Sequence, residues 1–339
     1  MTSAGELTKR PTVSVVIPAR NEEGCIDRCL GAIRGMKTST AEVEIVVVDN
    51  NSADSTAAIA KKYGAVVVAR KEGTIGSLRN AGAAVSKGDF IAFLDADCIV
   101  PGDWLDKAFS FFARDRGMII GFRMTIPDDA NWVARSWDLL FSKRNVTAEV
   151  EWLPSGNMIM AREAFLSIGG FDEGLETNED CDLCFRLGKQ GYRVLSCADT
   201  AVVHLRPPRS LGQVFRKELW HGKEIFKVFV DDLIRSKDIN IMRRKNSKIV
   251  LYALCNLAFI LAFLFSLVVA FSMKMLLPLG IALALPFVTS FVLACAYTRS
   301  HKDNKRMIMG LTMLLVVYGL SRAVSILPYE KFARSGVKV

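Results

Sequence analysis

The chain has 339 residues, a formal net charge of +9 and 51% hydrophobic residues, which is long enough for more than one domain and rich in apolar residues for a soluble protein. The apolar residues are uneven: residues 1–240 read as an ordinary globular protein, and the chain changes character from Ile249 onward. The positive charge gathers beside the apolar runs, where anionic lipid headgroups are the fitting partner; no nucleic-acid-binding signature accompanies it, which excludes a nucleic-acid partner.

The first residues, MTSAGELTKRPT, contain no apolar h-region, so no cleaved signal peptide is expected and the first domain is placed in the cytoplasm. Residues 13–20 (VSVVIPAR) form a β-branched run, and a helix is predicted from Asn21, with Ile26, Leu30 and Ile33 at helical spacing. EVEIVVVDN (42–50) is continuously apolar and reads as a strand buried on both faces. A second helix follows, with Ser52 or Asp54 at its start and Gly64 after its end; then come a third strand at 65–70, a helix ending at Gly88, and a fourth strand through DFIAFLDAD. Strict alternation of strand and helix predicts an α/β domain with an open parallel sheet covered on both faces. Ligands in such sheets bind outside the carboxyl ends of the strands. There the polar strand ends Pro18–Glu22, Asp49–Ser52, Arg70–Lys71 and Asp95–Asp97 would gather.

Neither GxGxxG nor GxxxxGK[ST] occurs, so a glycine-loop phosphate cradle is not expected. A divalent cation is the other way to hold a phosphate. Asp95 and Asp97 offer hard oxygen ligands suited to Mg²⁺ or Mn²⁺ bridging to a diphosphate. An isolated Asp-x-Asp equally caps a turn. Its place here, at the end of a buried fourth strand and after a strand ending in Asp49, favours the cation.

Further along, residues 211–235 form an amphipathic pattern, with Leu211, Phe215, Leu219, Gly222, Phe226, Phe229 and Leu233 at helical spacing. Such a helix lies on a bilayer surface or packs on the catalytic domain. Residues 249–271 and 275–297 are each free of charge at spanning length and are separated by Ser-Met-Lys, which predicts a transmembrane hairpin with kinks at Pro278 and Pro286. A third run, 307–327, carries Arg322 and either spans or lies in the interface. The basic stretches 235–248 and 298–306 both fall on the cytoplasmic side under the positive-inside rule. Eight cysteines are present, and Cys181-x-x-Cys184 stands without a second pair; reduced thiols are expected rather than a zinc site.

Four stretches, taken in order, resemble the family 2 glycosyltransferases, enzymes of the GT-A (Rossmann-like) fold that use nucleotide sugars. They are VSVVIPARNEE, EIVVVDNNSADST, GSLRNAGAAVSKGDFIAFLDADC and SGNMIMAREAFLSIGGFDEGLETNEDCDLCFRLGKQGYRV, and the resemblance covers roughly residues 12–225. It implies a catalytic domain over residues 1–235, with a nucleotide-binding half at 12–100, an acceptor half at 101–210 and the amphipathic helix at 211–235, followed by a membrane region at 236–339. In this reading Pro18, Arg20 and Glu22 line the nucleoside pocket, Asp49 hydrogen-bonds the base with Ser52 beside it, and Arg79 approaches the base or diphosphate. Asp95 lies near the ribose and metal, Asp97 binds the metal, and His204 supplies a further metal or diphosphate contact; a core histidine at a strand end is the other reading of His204. On the acceptor side Gly156 and Asn157 form a small-residue turn that approaches a sugar. Asp180, with Glu179, is the general base at a helix start, and Arg186 turns back toward these acids.

Arg216 and Trp220 are similar to the Arg/Trp element of processive polysaccharide synthases, but the Gln-x-x-Arg-Trp form is broken because Glu218 and Leu219 precede Trp220. The expected activity is single, inverting transfer from a UDP- or GDP-sugar to a lipid-linked saccharide or surface polysaccharide at the cytoplasmic membrane face. The alternatives are transfer to polyprenyl phosphate and a non-catalytic membrane scaffold.

Overall fold

The computed structural model describes residues 10–141, 147–222, 247–273, 277–299 and 307–325. The chain forms two compact units, Met1–Asp128 with Ser142–Arg206, and Asp129–Phe141 with Pro207–Val339.

The first unit is built on one mixed nine-stranded sheet. Its first half is the parallel set anticipated from the alternating pattern: β1 (Thr12–Ala19), β2 (Glu42–Asn50), β3 (Val66–Arg70) and β4 (Phe90–Leu94), ordered β3-β2-β1-β4. The helices α1 (Ile26–Gly35), α2 (Thr56–Lys62) and α3 (Ile75–Val85) connect them. Register brings Ala19 opposite Asp49 and Asn50 opposite Arg70, so the polar strand ends share one edge. α3 lies close on this sheet because residue 82 is glycine; a Cβ there would come 2.3 Å from Val16 Cγ1.

Beyond β4 the sheet changes character. β8 (Asn157–Ala161) runs antiparallel to β4, and β6 (Met118–Thr125) and β9 (Arg193–His204) complete the order with β5 (Cys98–Ile99) at the far edge. β7 (Ala148–Glu149) pairs with β9. α4 (Trp104–Phe112) follows β5, α6 (Arg162–Ser167) follows β8, and α7 (Glu179–Lys189) precedes β9. Aromatic rings fill the core: Phe90 stacks with Phe109 and Phe112, and Phe93 with Phe165 and Phe171. Burying each such ring contributes roughly 1.5–3 kcal/mol.

Two of the boundaries that differ from the sequence reading shape the site. α1 starts at Ile26 rather than at Asn21, because Asn21 adopts left-handed backbone (φ 55°) and a turn closes from Cys25 N to Glu22 O. The fourth strand stops at Leu94, so Asp95 and Asp97 sit in the turn that leads into β5 and not on the strand itself.

The second unit is helical: α5 (Trp132–Phe141), α8 (Leu211–Gly222), α9 (Ser247–Met273), α10 (Leu277–Arg299) and α11 (Ile308–Ser325). Within α9 and α11, Val250–Leu267 and Ile308–Ser325 are long and apolar enough to cross a membrane by length and composition. In α10 the stretch Ala284–Arg299 forms a shorter apolar helix, and Pro286 lies inside α10. The grouping also departs from a boundary after residue 235, since α8 and the α5 excursion both belong with the C-terminal helices. On α8 the buried stripe is Val214, Glu218 and Gly222, whereas Leu211, Phe215 and Leu219 are half-buried. An acid occupies the middle of this stripe because Arg322 of α11 pairs with it. Phe226, Phe229 and Leu233 lie outside the described residues.

Candidate active site

The loops after β1 and β2 are clasped together. Asn21 N donates to Ser52 Oγ at 3.0 Å, Ala53 N to Asn21 Oδ1 at 2.8 Å, and Glu22 N to Thr56 Oγ1 at 2.7 Å. Asparagine tolerates the left-handed backbone this needs at both Asn21 and Asn51. The clasp frames Asp49, which is only 9% exposed and whose Oδ1 is buried without a hydrogen-bond partner. A buried acceptor left this way costs about 1–3 kcal/mol, so the position suits a ligand N–H. Arg20 is exposed beside it, and Pro18 is buried in β1 opposite Val48.

A second group of residues links the turn after β4 to the start of α7. Arg79 is 3% exposed and donates from Nη2 to Asp95 Oδ1 at 2.8 Å and from Nη1 to Glu179 Oε1 at 3.0 Å. Ser155 Oγ donates to the same Glu179 oxygen at 3.0 Å. The Ser155–Gly156 turn is held against the carboxylate as well: Asp95 N donates to Gly156 O, and a Cβ on residue 156 would lie 2.1 Å from Asp95 Oδ2. Only glycine fits there. α7 opens with Glu179, Asp180 and Asp182 in its first turn, where the helix dipole favours negative charge. Asp180, half-buried, accepts a hydrogen bond from Cys181 N at 2.7 Å. Burial first, and then the Glu179 carboxylate, push its carboxyl up to about 7. Two adjacent acids therefore differ: Glu179 is tied to a buried guanidinium, while Asp180 is poised to exchange a proton near neutrality.

The third group surrounds Asp97. Pairing of β5 with β9 places Cys98 opposite His204, and Leu205 N donates to Asp97 O at 2.8 Å. His204 Nε2 thereby lies 3.4 Å and Arg206 Nε 3.7 Å from Asp97 Oδ2. Arg206 also forms an ion pair with Glu22, connecting the β1 loop to the turn after β4. Cys29 and Cys98 are buried behind this turn, and Cys29 Sγ donates to Asp95 O. Burial raises both thiols, so they are protonated packing groups rather than nucleophiles. All eight cysteines are free.

Two predicted acceptor residues have other occupations. Asn157 is fully buried; its Oδ1 accepts from Trp104 Nε1 and its Nδ2 donates to Phe122 O. Arg186 turns to Asp182 rather than to Glu179 or Asp180, and its remaining donors hold Ile168 O and Gly170 O. Arg79, expected at the base or diphosphate, is engaged internally by two carboxylates. One contributor was not singled out from sequence, Arg206; Ser155, read as the start of a small-residue turn, also binds Glu179. A basic residue two positions beyond a histidine at a strand end was the available signal for Arg206.

The donor set at the turn fits a divalent cation in chemistry, with hard carboxylate oxygens on Asp95 and Asp97 and an imidazole on His204. Among the described residues no three His, Cys, Asp or Glu side chains converge into a closed cage. Such a set suits a cation that takes most of its ligands from a diphosphate and water.

A half-parallel sheet with an Asp-x-Asp turn after its fourth strand, facing a helix that opens on paired acids, defines a glycosyltransferase of the GT-A fold. The chain belongs to glycosyl transferase family 2, whose model matches residues 14–169. It is 30% identical over 188 residues to the uncharacterized glycosyltransferase Mb0553 of Mycobacterium bovis, covering 54% of this chain and 82% of that one. It is 28% identical over 248 residues to the succinoglycan biosynthesis protein ExoA of Rhizobium meliloti, covering 67% and 73%. Other curated relatives are longer, and the chain spans 46% of their length. The fold is similar to that of the mannosyltransferase PcManGT from Pyrobaculum calidifontis, solved in complex with GDP-Man and Mn²⁺, with a TM-score of 0.61 and 19% identity over 97% of this chain and 89% of that one.

Proposed function

We propose that this glycosyltransferase moves one sugar, with inversion, from a UDP- or GDP-sugar to a hydroxyl of a lipid-linked saccharide or surface polysaccharide at the cytoplasmic face of a membrane. The observation that carries the reading is the continuous chain Asp95–Arg79–Glu179–Ser155, which joins the donor-side turn to the helix bearing Asp180. Asp49 accepts a base N–H, and Glu22 lies toward the ribose. Asp97, with Asp95 and His204, would hold Mn²⁺ or Mg²⁺, which when bound would neutralise the departing diphosphate. Asp180 takes the proton from the acceptor hydroxyl as it attacks the anomeric carbon. Glu179, fixed by Arg79 and Ser155, keeps that carboxylate at the mouth of the Ser155–Gly156 turn. The apolar stretch Val250–Leu267 of α9, long enough to cross a membrane, and the shorter apolar stretch Ala284–Arg299 of α10 support a membrane site, and a relative named for succinoglycan biosynthesis supports a saccharide acceptor.

The test is nucleotide release by the purified full chain with a panel of UDP- and GDP-sugars, Mn²⁺ and lipid extract, followed by mass spectrometry of the product. Release that depends on both Asp97 and Asp180 supports the reading. Undiminished turnover in Asp97→Ala and Asp180→Ala would remove the assignment of these residues, and a product with retained anomeric configuration would remove the single-displacement mechanism.

A further inference from the structure

The third apolar run carries a charge, and the surroundings of α11 explain how. Among its residues only Met309 and Met313 are exposed. Toward its start it packs on α5: Leu311 and Leu315 cluster with Leu139, and a Cβ at Gly310 would come 2.9 Å from Ser136 Oγ. Along its second half it is covered by α8. Val214 packs with Leu314, Glu218 pairs with Arg322, and Gly222 approaches so closely that a Cβ would lie 2.2 Å from Ser325 Oγ. A third side meets α9, where Tyr252 Oη donates to Leu315 O at 3.0 Å and a Cβ at Gly319 would lie 2.4 Å from Asn256 Oδ1.

These contacts fix how deep α11 reaches. Leu315 is level with Tyr252 and Gly319 with Asn256, so α11 and α9 run side by side in the same direction. Six residues beyond Gly319, Ser325 is level with about Ala262, whereas α9 continues to Met273. The remaining eleven residues of α9, Phe263–Met273, extend about 17 Å further at ~1.5 Å per residue. After Ser325 the sequence offers Ile326 and Leu327 before Pro328, Tyr329 and Glu330, too few apolar residues to cover that distance. A separate observation agrees. The face of α8 turned away from α11 carries exposed Gln213 and Arg216, and an arginine on a free helix face is excluded from the hydrocarbon centre. α8 is therefore kept out of the hydrocarbon centre, and the half of α11 beside it is kept out too.

We infer that α11 does not cross the bilayer. It enters from the side on which α5 and α8 lie, ends part-way with its charge neutralised by Glu218, and leaves α9 and α10 as the crossing pair among the described residues. The partner of this surface is one lipid leaflet: exposed Arg216 faces headgroups, and exposed Leu254 and Leu261 of α9 face acyl chains. The inference rests on the membrane reading above.

The test uses the full chain in native membranes, with one epitope tag after Val339, one before Met1 and one between α9 and α10, read by antibody access in sealed right-side-out and inverted vesicles. The expected result is that the two end tags are reached from one side and the hairpin tag from the other. A C-terminal tag reached on the hairpin tag's side would overturn the inference while leaving the membrane reading intact. Release of the whole chain by alkaline carbonate would overturn the membrane reading, and the inference with it.

Discussion

Glu179 accepts a hydrogen bond from buried Arg79 at 3.0 Å, across 100 positions of sequence, and that guanidinium binds Asp95 with its other arm. A single cation thus compensates one carboxylate from each half of the site. Removing it strands Glu179 in a buried position and leaves the partly exposed Asp95 without this partner.

Arg79→Ala is expected to destabilise the domain by about 3–5 kcal/mol, the usual consequence of leaving a buried charge unpaired. Arg79→Lys keeps the charge but cannot donate in two fixed directions, so it should retain most of the stability and lose activity. Thermal melting together with turnover separates the two effects.

The raised carboxyl of Asp180 makes activity pH-dependent. A general base works ionised, so kcat/KM should climb about tenfold per pH unit below about 7 and level off above it. The groups facing it are Glu179 and Arg79. Asp180→Asn should lower kcat by about 10²-fold or more and abolish this limb. Stability moves the opposite way. A folded-state pKa above the ordinary value favours the native state at low pH, and this contribution is lost as pH rises through about 7. The Asn variant should therefore gain on the wild type in melting temperature above pH 7.

Gly156→Ala tests the closeness of the turn to the donor acids. A methyl group 2.1 Å from Asp95 Oδ2 cannot be accommodated without moving that carboxylate. The expected outcome is loss of Mn²⁺-dependent nucleotide-sugar binding by calorimetry, with a stability cost of about 1–3 kcal/mol that leaves the protein folded.

Arg206 is half-exposed, and pairs of this kind contribute about 0–1 kcal/mol to stability. Arg206→Ala should leave the melting temperature nearly unchanged yet raise the KM for the donor about tenfold, equal to ~1.4 kcal/mol of lost binding. An unchanged donor KM would reduce Arg206 to a surface contact.

The parallel half of the fold was legible because its signals are local. β2 carries the unbroken apolar run Ile45–Val48, α1 repeats Ile26, Leu30 and Ile33 at one helical face, and Asp95 follows a buried strand. The turn to an antiparallel β8 was not, since nothing near Asn157 states which strand it will join. The same limit applies to side-chain partners. Glu179 and Asp95 are adjacent only through Arg79, and His204 reaches Asp97 only because a two-residue strand, Cys98–Ile99, pairs at the sheet edge. Asn157 was read as part of a turn that meets the acceptor, and burial turned its side chain to Trp104 and Phe122; Arg186 was expected at Glu179 and Asp180, and pairs one turn away with Asp182. Helix periodicity also misplaced the face of α8, because the ion pair with Arg322 draws Glu218 inward.

The second unit is assembled from two separated pieces of chain, and α5 supplies the first of them. Cutting the chain after Arg206, the natural way to prepare a water-soluble catalytic fragment, would remove Val214, Leu311, Leu314 and Leu315, which pack on Val133 and Leu139. The fragment would keep an adhesive patch in the middle of its own sequence. A tractable soluble form accordingly calls for polar replacements on α5 as well as loss of the C-terminal helices.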